Sequence, residues 1–221
     1  MCGRFVQVLS HVILNMLYRL EVKGDFVPRY NLAPSQHAWV LRTNPLNGDR
    51  EILLLKWGLV PPWIKDEARV SKPINARVET VGQNPFFRNA FQRRRALIPA
   101  NGYYEWKKVN GKKQPYLIRR KDERPFSMAG LWERRENERN THGTFTIITT
   151  AAIAPVKAIH HRMPLILSEE IYNRWLDPDT PPGELQDLIH PFPATGLITY
   201  PVSPLVNKPS NDSPECIRPL E

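Results

Sequence analysis

Residues 95–120 read RALIPANGYYEWKKVNGKKQPYLIRR. Asn110-Gly111 is the dipeptide that a two-residue hairpin favours, because both central residues must take positive φ. The flanking segments predict strands at 95–99, 103–108 and 115–120. On a strand successive side chains alternate between faces, so Tyr103, Glu105 and Lys107 share one face and Tyr104 and Trp106 the other. The stretch therefore predicts a central antiparallel unit with one carboxylate set among aromatic rings.

Working outward, further strands are expected at 126–132, 144–150 and 197–202 downstream, and at 2–7, 38–42 and 51–57 upstream. Asn47-Gly48 marks a second turn. The segment 29–34 reads as a loop entering a strand, and 73–80 has no clear period. Ser10 can cap a helix running to about Leu20, with Val12, Ile13, Met16, Leu17 and Leu20 on its apolar face and Gly24 ending it. Other helices are expected at about 84–92, from Ser168 to Pro178, and from Pro182 to about Ile189. Residues 133–142 read as a charged, solvated loop. The reading is α+β: one domain over residues 1–221, with a curved, barrel-like antiparallel β core and peripheral helices.

Composition narrows the function classes. The chain has 221 residues, 41% of them hydrophobic, enough for a sizeable core. Its 22 prolines favour short strands and ordered loops over a helical bundle. No apolar run is long enough to span a membrane, and no signal peptide is evident. The two cysteines, Cys2 and Cys216, have no spacing that suggests zinc, so neither a metal nor a cofactor is expected. They suit a reducing cytosol. The net charge of +9 favours polyanionic partners, nucleic acid first among them.

Cys2 follows the initiator Met1. Residue 2 is small, so an aminopeptidase can remove Met1 and leave Cys2 with a free α-amine beside its thiol. These groups titrate near ~8 and ~8.5, so both are partly nucleophilic at neutral pH. An amine and a thiol two carbons apart can attack one aldehyde in turn and close a thiazolidine ring. The plainer reading is that Cys2 is an accident of the start site.

Three other segments carry candidate chemistry. Glu105, desolvated by its neighbours, should have a raised pKa suited to proton exchange; the plainer reading is a cross-strand salt bridge to lysine. In His160-His161-Arg162-Met163-Pro164 one histidine can act as acid or base, and adjacent side chains should diverge, so only one enters a given site. Asn75-Ala76-Arg77 places an amide and a guanidinium on the same side of an extended chain, suited to a sugar hydroxyl or amine and to a phosphate. Arg4, Arg77 and Arg162 each lie within a few residues of a candidate reactive group. Trp63 and Trp106 have rings able to stack on bases, though core or rim packing is commoner.

These segments resemble the SRAP (SOS response-associated peptidase) family. The resemblance rests on Met1-Cys2-Gly3-Arg4-Phe5, Arg29-Tyr30-Asn31-Leu32-Ala33-Pro34, Trp57-Gly58-Leu59-Val60-Pro61-Pro62-Trp63 and Ile74-Asn75-Ala76-Arg77-Val78-Glu79-Thr80. Gly102 to Lys107, His160 to Pro164 and Val202-Ser203-Pro204-Leu205-Val206-Asn207 complete it in family order. Small departures stand at Pro28, Asn101 and Ala151-Ala152-Ile153.

The resemblance implies a sensor and shield of abasic sites in single-stranded DNA, linked covalently to the opened sugar through Cys2. It implies Cys2 as nucleophile, Asn75 as the group positioning amine and sugar, Glu105 as proton shuttle and His160 as the aid to ring opening and reversal. Arg4, Arg77 and Arg162 would hold flanking phosphates, with Trp106 and Thr149 also on the DNA side. The expected protein is a cytoplasmic monomer, nucleoid-associated if bacterial. Two other readings stay open at this point: a cysteine peptidase built on Cys2, His160 and Glu105 and limited to removing Met1, and a non-covalent reader of damaged or modified DNA.

Overall fold

The computed structural model describes residues 2–22, 25–66, 69–134, 143–189 and 192–220. Two sheets form the body. The strands, in chain order, are β1 (Phe5–Gln7), β2 (Arg29–Leu32), β3 (His37–Thr43), β4 (Arg50–Trp57), β5 (Asn75–Arg77), β6 (Arg95–Ala100) and β7 (Gly102–Val109). They continue as β8 (Lys112–Arg120), β9 (Phe126–Glu133), β10 (Thr144–Ala151), β11 (Arg162–Pro164), β12 (Ile166–Leu167) and β13 (Leu197–Pro201). The helices are α1 (His11–Tyr18), α2 (Arg88–Arg93), α3 (Tyr172–Leu176) and α4 (Pro182–Asp187).

The smaller sheet runs β13-β8-β7-β1-β2. Its centre is the hairpin expected from Asn110-Gly111: Val109 pairs with Lys112, and both turn residues take positive φ, 48° and 79°. In the larger sheet β10 pairs with β4, β4 with β3, β3 with β6, β6 with β9, and β9 again with β10. That ring of pairings closes the sheet on itself, which is the barrel-like curvature expected. It is mixed rather than purely antiparallel, because β10 runs parallel to both β4 and β5.

The alternation along β6 shows how the layers stack. Ala96, Ile98 and Ala100 join one apolar cluster with Phe5, Tyr103 and Ile118 of the smaller sheet. Leu97 joins another with Leu14, Leu17, Phe91 and Trp175 from the helices. All of β6 is buried, so it reads in the sequence as a nearly continuous apolar run.

Three local expectations change. Helix α1 is capped by Ser10, whose side chain accepts from the Ile13 N–H, but it ends at Arg19 in the left-handed region and buries Leu14, Leu17 and Tyr18. Val12 and Met16 stand 78% and 50% exposed. The buried stripe is turned from the expected one because Tyr18 points inward, where its hydroxyl meets Ser127 Oγ at 2.7 Å. Helix α2 starts at Arg88, because Asn84 turns the chain first by accepting the Phe86 N–H. The segment 29–34 contains strand β2 in place of a loop, and part of the aperiodic 73–80 is β5. Gly24 and residues 135–142 lie outside the described residues. Among the described residues no helix is long and apolar enough to cross a membrane.

Candidate active site

Residues far apart in the chain meet where the two sheets adjoin. Strand β1 is held between β2 and β7, Phe5 facing Leu32 on one side and Tyr103 on the other. Cys2, just before it, is fully buried in the apolar cluster of Phe5 and Tyr103. From the larger sheet β5 supplies Asn75, whose Nδ2 donates to the Cys2 carbonyl oxygen at 2.8 Å. The amide's other end, Oδ1, is buried and meets no donor among the described residues. A buried acceptor without a partner costs roughly 1–3 kcal/mol, so the position suits a group that finds its partner in a bound substrate.

Glu105 enters from β7 and is 3% exposed. Opposite it on β8 stands Tyr116, so its cross-strand neighbour is an aromatic residue and not a lysine. Burial raises the Glu105 pKa above the ordinary carboxylate range. Burial also pushes the Cys2 thiol well up, with the Glu105 charge adding to it. A thiol so placed rests protonated and reacts only as its proton is taken, and Glu105 is the carboxylate whose charge it feels.

His160 lies on the approach to β11. Its Nδ1 lies 3.0 Å from the Arg162 backbone nitrogen, 3.1 Å from the Arg162 carbonyl oxygen and 3.8 Å from Glu105 Oε1. Burial lowers the His160 pKa, which keeps the ring neutral over more of the physiological range. The two histidines do not diverge as expected: their rings stack with centroids 4.3 Å apart and planes 29° from parallel. His161 is exposed, so only His160 reaches the carboxylate.

The arginines divide. Arg77 is exposed at the end of β5. Arg4 donates through Nη1 to Asn31 Oδ1 at 2.8 Å and to the Val206 carbonyl at 2.7 Å, with its guanidinium carbon 5.9 Å from the Trp106 ring centre. Trp106 is itself tied, its Nε1 donating to Asn207 Oδ1 at 2.8 Å. Arg162 differs from the expectation. It is buried, forks onto Glu79 and donates to the Thr149 carbonyl at 2.6 Å. Thr149 is fully buried, its hydroxyl 3.4 Å from the Ala76 carbonyl. Thr149 joins β10 to β5, and Arg162 joins β11 to β10 and to Glu79 just after β5, so both are already partnered in the fold.

Two residues escaped the sequence reading. Asn31 is a fully buried polar side chain, and Asp212 anchors the tail to β2. No local signal marks either, since Asn31 lies in a segment that reads as a loop and Asp212 in the Pro-rich tail.

The SOS response associated peptidase (SRAP) family matches residues 1–209. The chain is 40% identical over 223 residues to "Abasic site processing protein YoqW" of Bacillus subtilis, covering 98% of this chain and 99% of that one. It is 32% identical to "Abasic site processing protein YedK" of Escherichia coli, with both chains covered completely. The chicken "Abasic site processing protein HMCES" is 33% identical across 90% of this chain and 68% of its own. A crystal structure of a Bacteroides thetaiotaomicron protein superposes with a TM-score of 0.85 at 27% identity, both chains fully covered. The chain belongs to the SOS response associated peptidase family.

Proposed function

We propose that the chain, once Met1 is removed, processes abasic sites in single-stranded DNA by forming a thiazolidine with the opened sugar. The observation that carries the reading is the setting of Cys2: its carbonyl held by Asn75 at 2.8 Å, with a buried carboxylate and a neutral imidazole in contact range of each other at 3.8 Å. The family relatives named for abasic-site processing support the substrate class.

The chemistry balances as follows. The Cys2 amine attacks the aldehyde carbon, and the carbinolamine hydroxyl takes a proton from Glu105 and leaves as water to give an iminium. The thiol sulfur then attacks the same carbon, its proton passing to Glu105, and the nitrogen remains as a neutral secondary amine. The net change is one water lost. Asn75 fixes the backbone from which both nucleophiles hang, which raises their effective concentration at the carbon. His160 exchanges the proton needed to open the sugar ring. Ring closure removes the iminium that would otherwise serve as an electron sink for β-elimination of the strand. Arg77 and Arg4 contact the phosphates, and Arg162 acts by tying the turn after β5 to β10 through Glu79 and Thr149.

The test is intact mass of the adduct formed with an abasic oligonucleotide, with and without borohydride. A thiazolidine takes up no hydride, so the mass should equal chain plus oligonucleotide minus water in both samples. A gain of two hydrogens on reduction would identify a lasting imine and refute the thiol's part.

A further inference from the structure

The carboxy-terminal segment after β13 is irregular and Pro-rich, yet it is tied to β2 at several points. Asn31, fully buried on β2, donates through Nδ2 to three tail carbonyls: Val206 at 3.2 Å, Lys208 at 3.1 Å and Asn211 at 2.7 Å. The Asp212 carboxylate returns the grip, accepting the Asn31 backbone N–H at 2.9 Å together with the Tyr30 N–H and the Arg29 guanidinium. Cys216 adds a bond from its thiol to the Asn211 carbonyl at 3.3 Å.

The same amide reaches the other way. Asn31 Oδ1 accepts from Arg4 Nη1 at 2.8 Å, and that nitrogen also meets the Val206 carbonyl that Asn31 holds. Arg4 is thereby held at one nitrogen by a side chain and by a tail carbonyl which that side chain fixes in place. Its Nε is buried without a partner among the described residues. Asn207, next in the tail, holds the Trp106 ring over which the guanidinium lies. Fixing a long flexible cation before an anion arrives removes the ordering cost from the binding step.

We propose that Asn31 is a positioning residue for Arg4, and that the tail segment 203–212 is thereby a working part of the DNA face. The inference rests on the DNA reading above. The tail would otherwise be a structural strap only, and the two differ in their coupling. A strap weakens binding whatever residue 4 is, whereas a positioning residue acts through Arg4 and has no effect once Arg4 is gone.

The experiment is a double-mutant cycle, read as affinity against salt for a single-stranded oligonucleotide carrying a non-reactive tetrahydrofuran abasic analogue. Arg4→Ala and Asn31→Ala should each weaken binding by about threefold to tenfold and flatten the salt slope by roughly one phosphate. The double variant should bind as Arg4→Ala alone. Asp212→Asn, isosteric and partly exposed, gives a second cycle with the same expected non-additivity if Asn31→Ala does not fold. Factors that multiply in the foldable cycle, or single variants that bind like wild type, overturn the role of Asn31. A wild-type chain whose binding ignores salt overturns the DNA reading as well, and that result is read from the wild type alone.

Discussion

Glu105 Oε1 stands 3.8 Å from His160 Nδ1, and the two are driven in opposite directions by the same cause. Burial raises the carboxylic acid's pKa and lowers the imidazole's. Their ionisations thus lie closer together than free Glu and His, which suits a pair that passes a proton between thiol, amine and sugar near neutral pH. The crosslinking rate should fall on the acid side at a pH above the ordinary carboxylate range. Glu105→Gln should slow the single-turnover rate by about 10²–10⁴-fold and remove that acid limb. A variant with the wild-type profile would take Glu105 out of the proton path.

The same shift predicts a trade against stability. A carboxyl whose folded pKa lies above its unfolded value binds more protons folded than unfolded between the two. Stability is therefore full below the unfolded pKa and is lost as pH rises through the folded one. Glu105→Gln should melt higher than wild type at pH ~7, with the gap closing toward pH ~4. A gap that does not change with pH would mean that the charged form carries no penalty in the fold.

Arg162 should behave as a clip. Lysine keeps the charge but cannot fork onto Glu79 and reach the Thr149 carbonyl at once. Arg162→Lys should lower stability by about 1–2 kcal/mol in urea unfolding, with little change in the salt slope for DNA. An unchanged midpoint with a flattened slope would return Arg162 to the phosphate set.

Arg77, exposed at the end of β5, carries the opposite expectation. Arg77→Ala should leave the melting temperature in place and flatten the salt dependence of single-strand binding by about one phosphate. A steep, unaltered slope would remove it from the DNA face.

Gly130 offers a check on the fold itself. A Cβ there would lie 2.1 Å from Ile98 Cδ1 and 2.8 Å from the Thr146 carbonyl, where β9 is paired with both β6 and β10. Gly130→Ala should cost about 1–3 kcal/mol, seen as a lower urea midpoint. A wild-type midpoint would mean that the ring of strands is looser than these contacts imply.

Much of this was legible in the residues because it depends on local periodicity. The β7–β8 hairpin follows from Asn110-Gly111, and the burial of Glu105 was expected from the aromatic residues that flank it. The meeting of Asn75 with Cys2 was not legible from spacing, since it depends on β5 running parallel to β10, a pairing between distant segments. The face of α1 was not legible because the inward turn of Tyr18 depends on Ser127, which is remote in sequence. The ion pair of Arg162 was not legible because its partner Glu79 is remote in sequence. The tail's grip on Arg4 through Asn31 has the same origin: polar contacts between segments far apart leave no periodic signal.

The central claim is that Cys2, as the first residue, makes a covalent bond to the abasic sugar. The direct measurement mixes purified chain, shown by mass to lack Met1, with a single-stranded oligonucleotide bearing one abasic site, and runs the products on a denaturing gel. The account predicts a slow-migrating band that is absent with undamaged DNA and lost in Cys2→Ala. No band from the processed chain, or an equal band from Cys2→Ala, would contradict it.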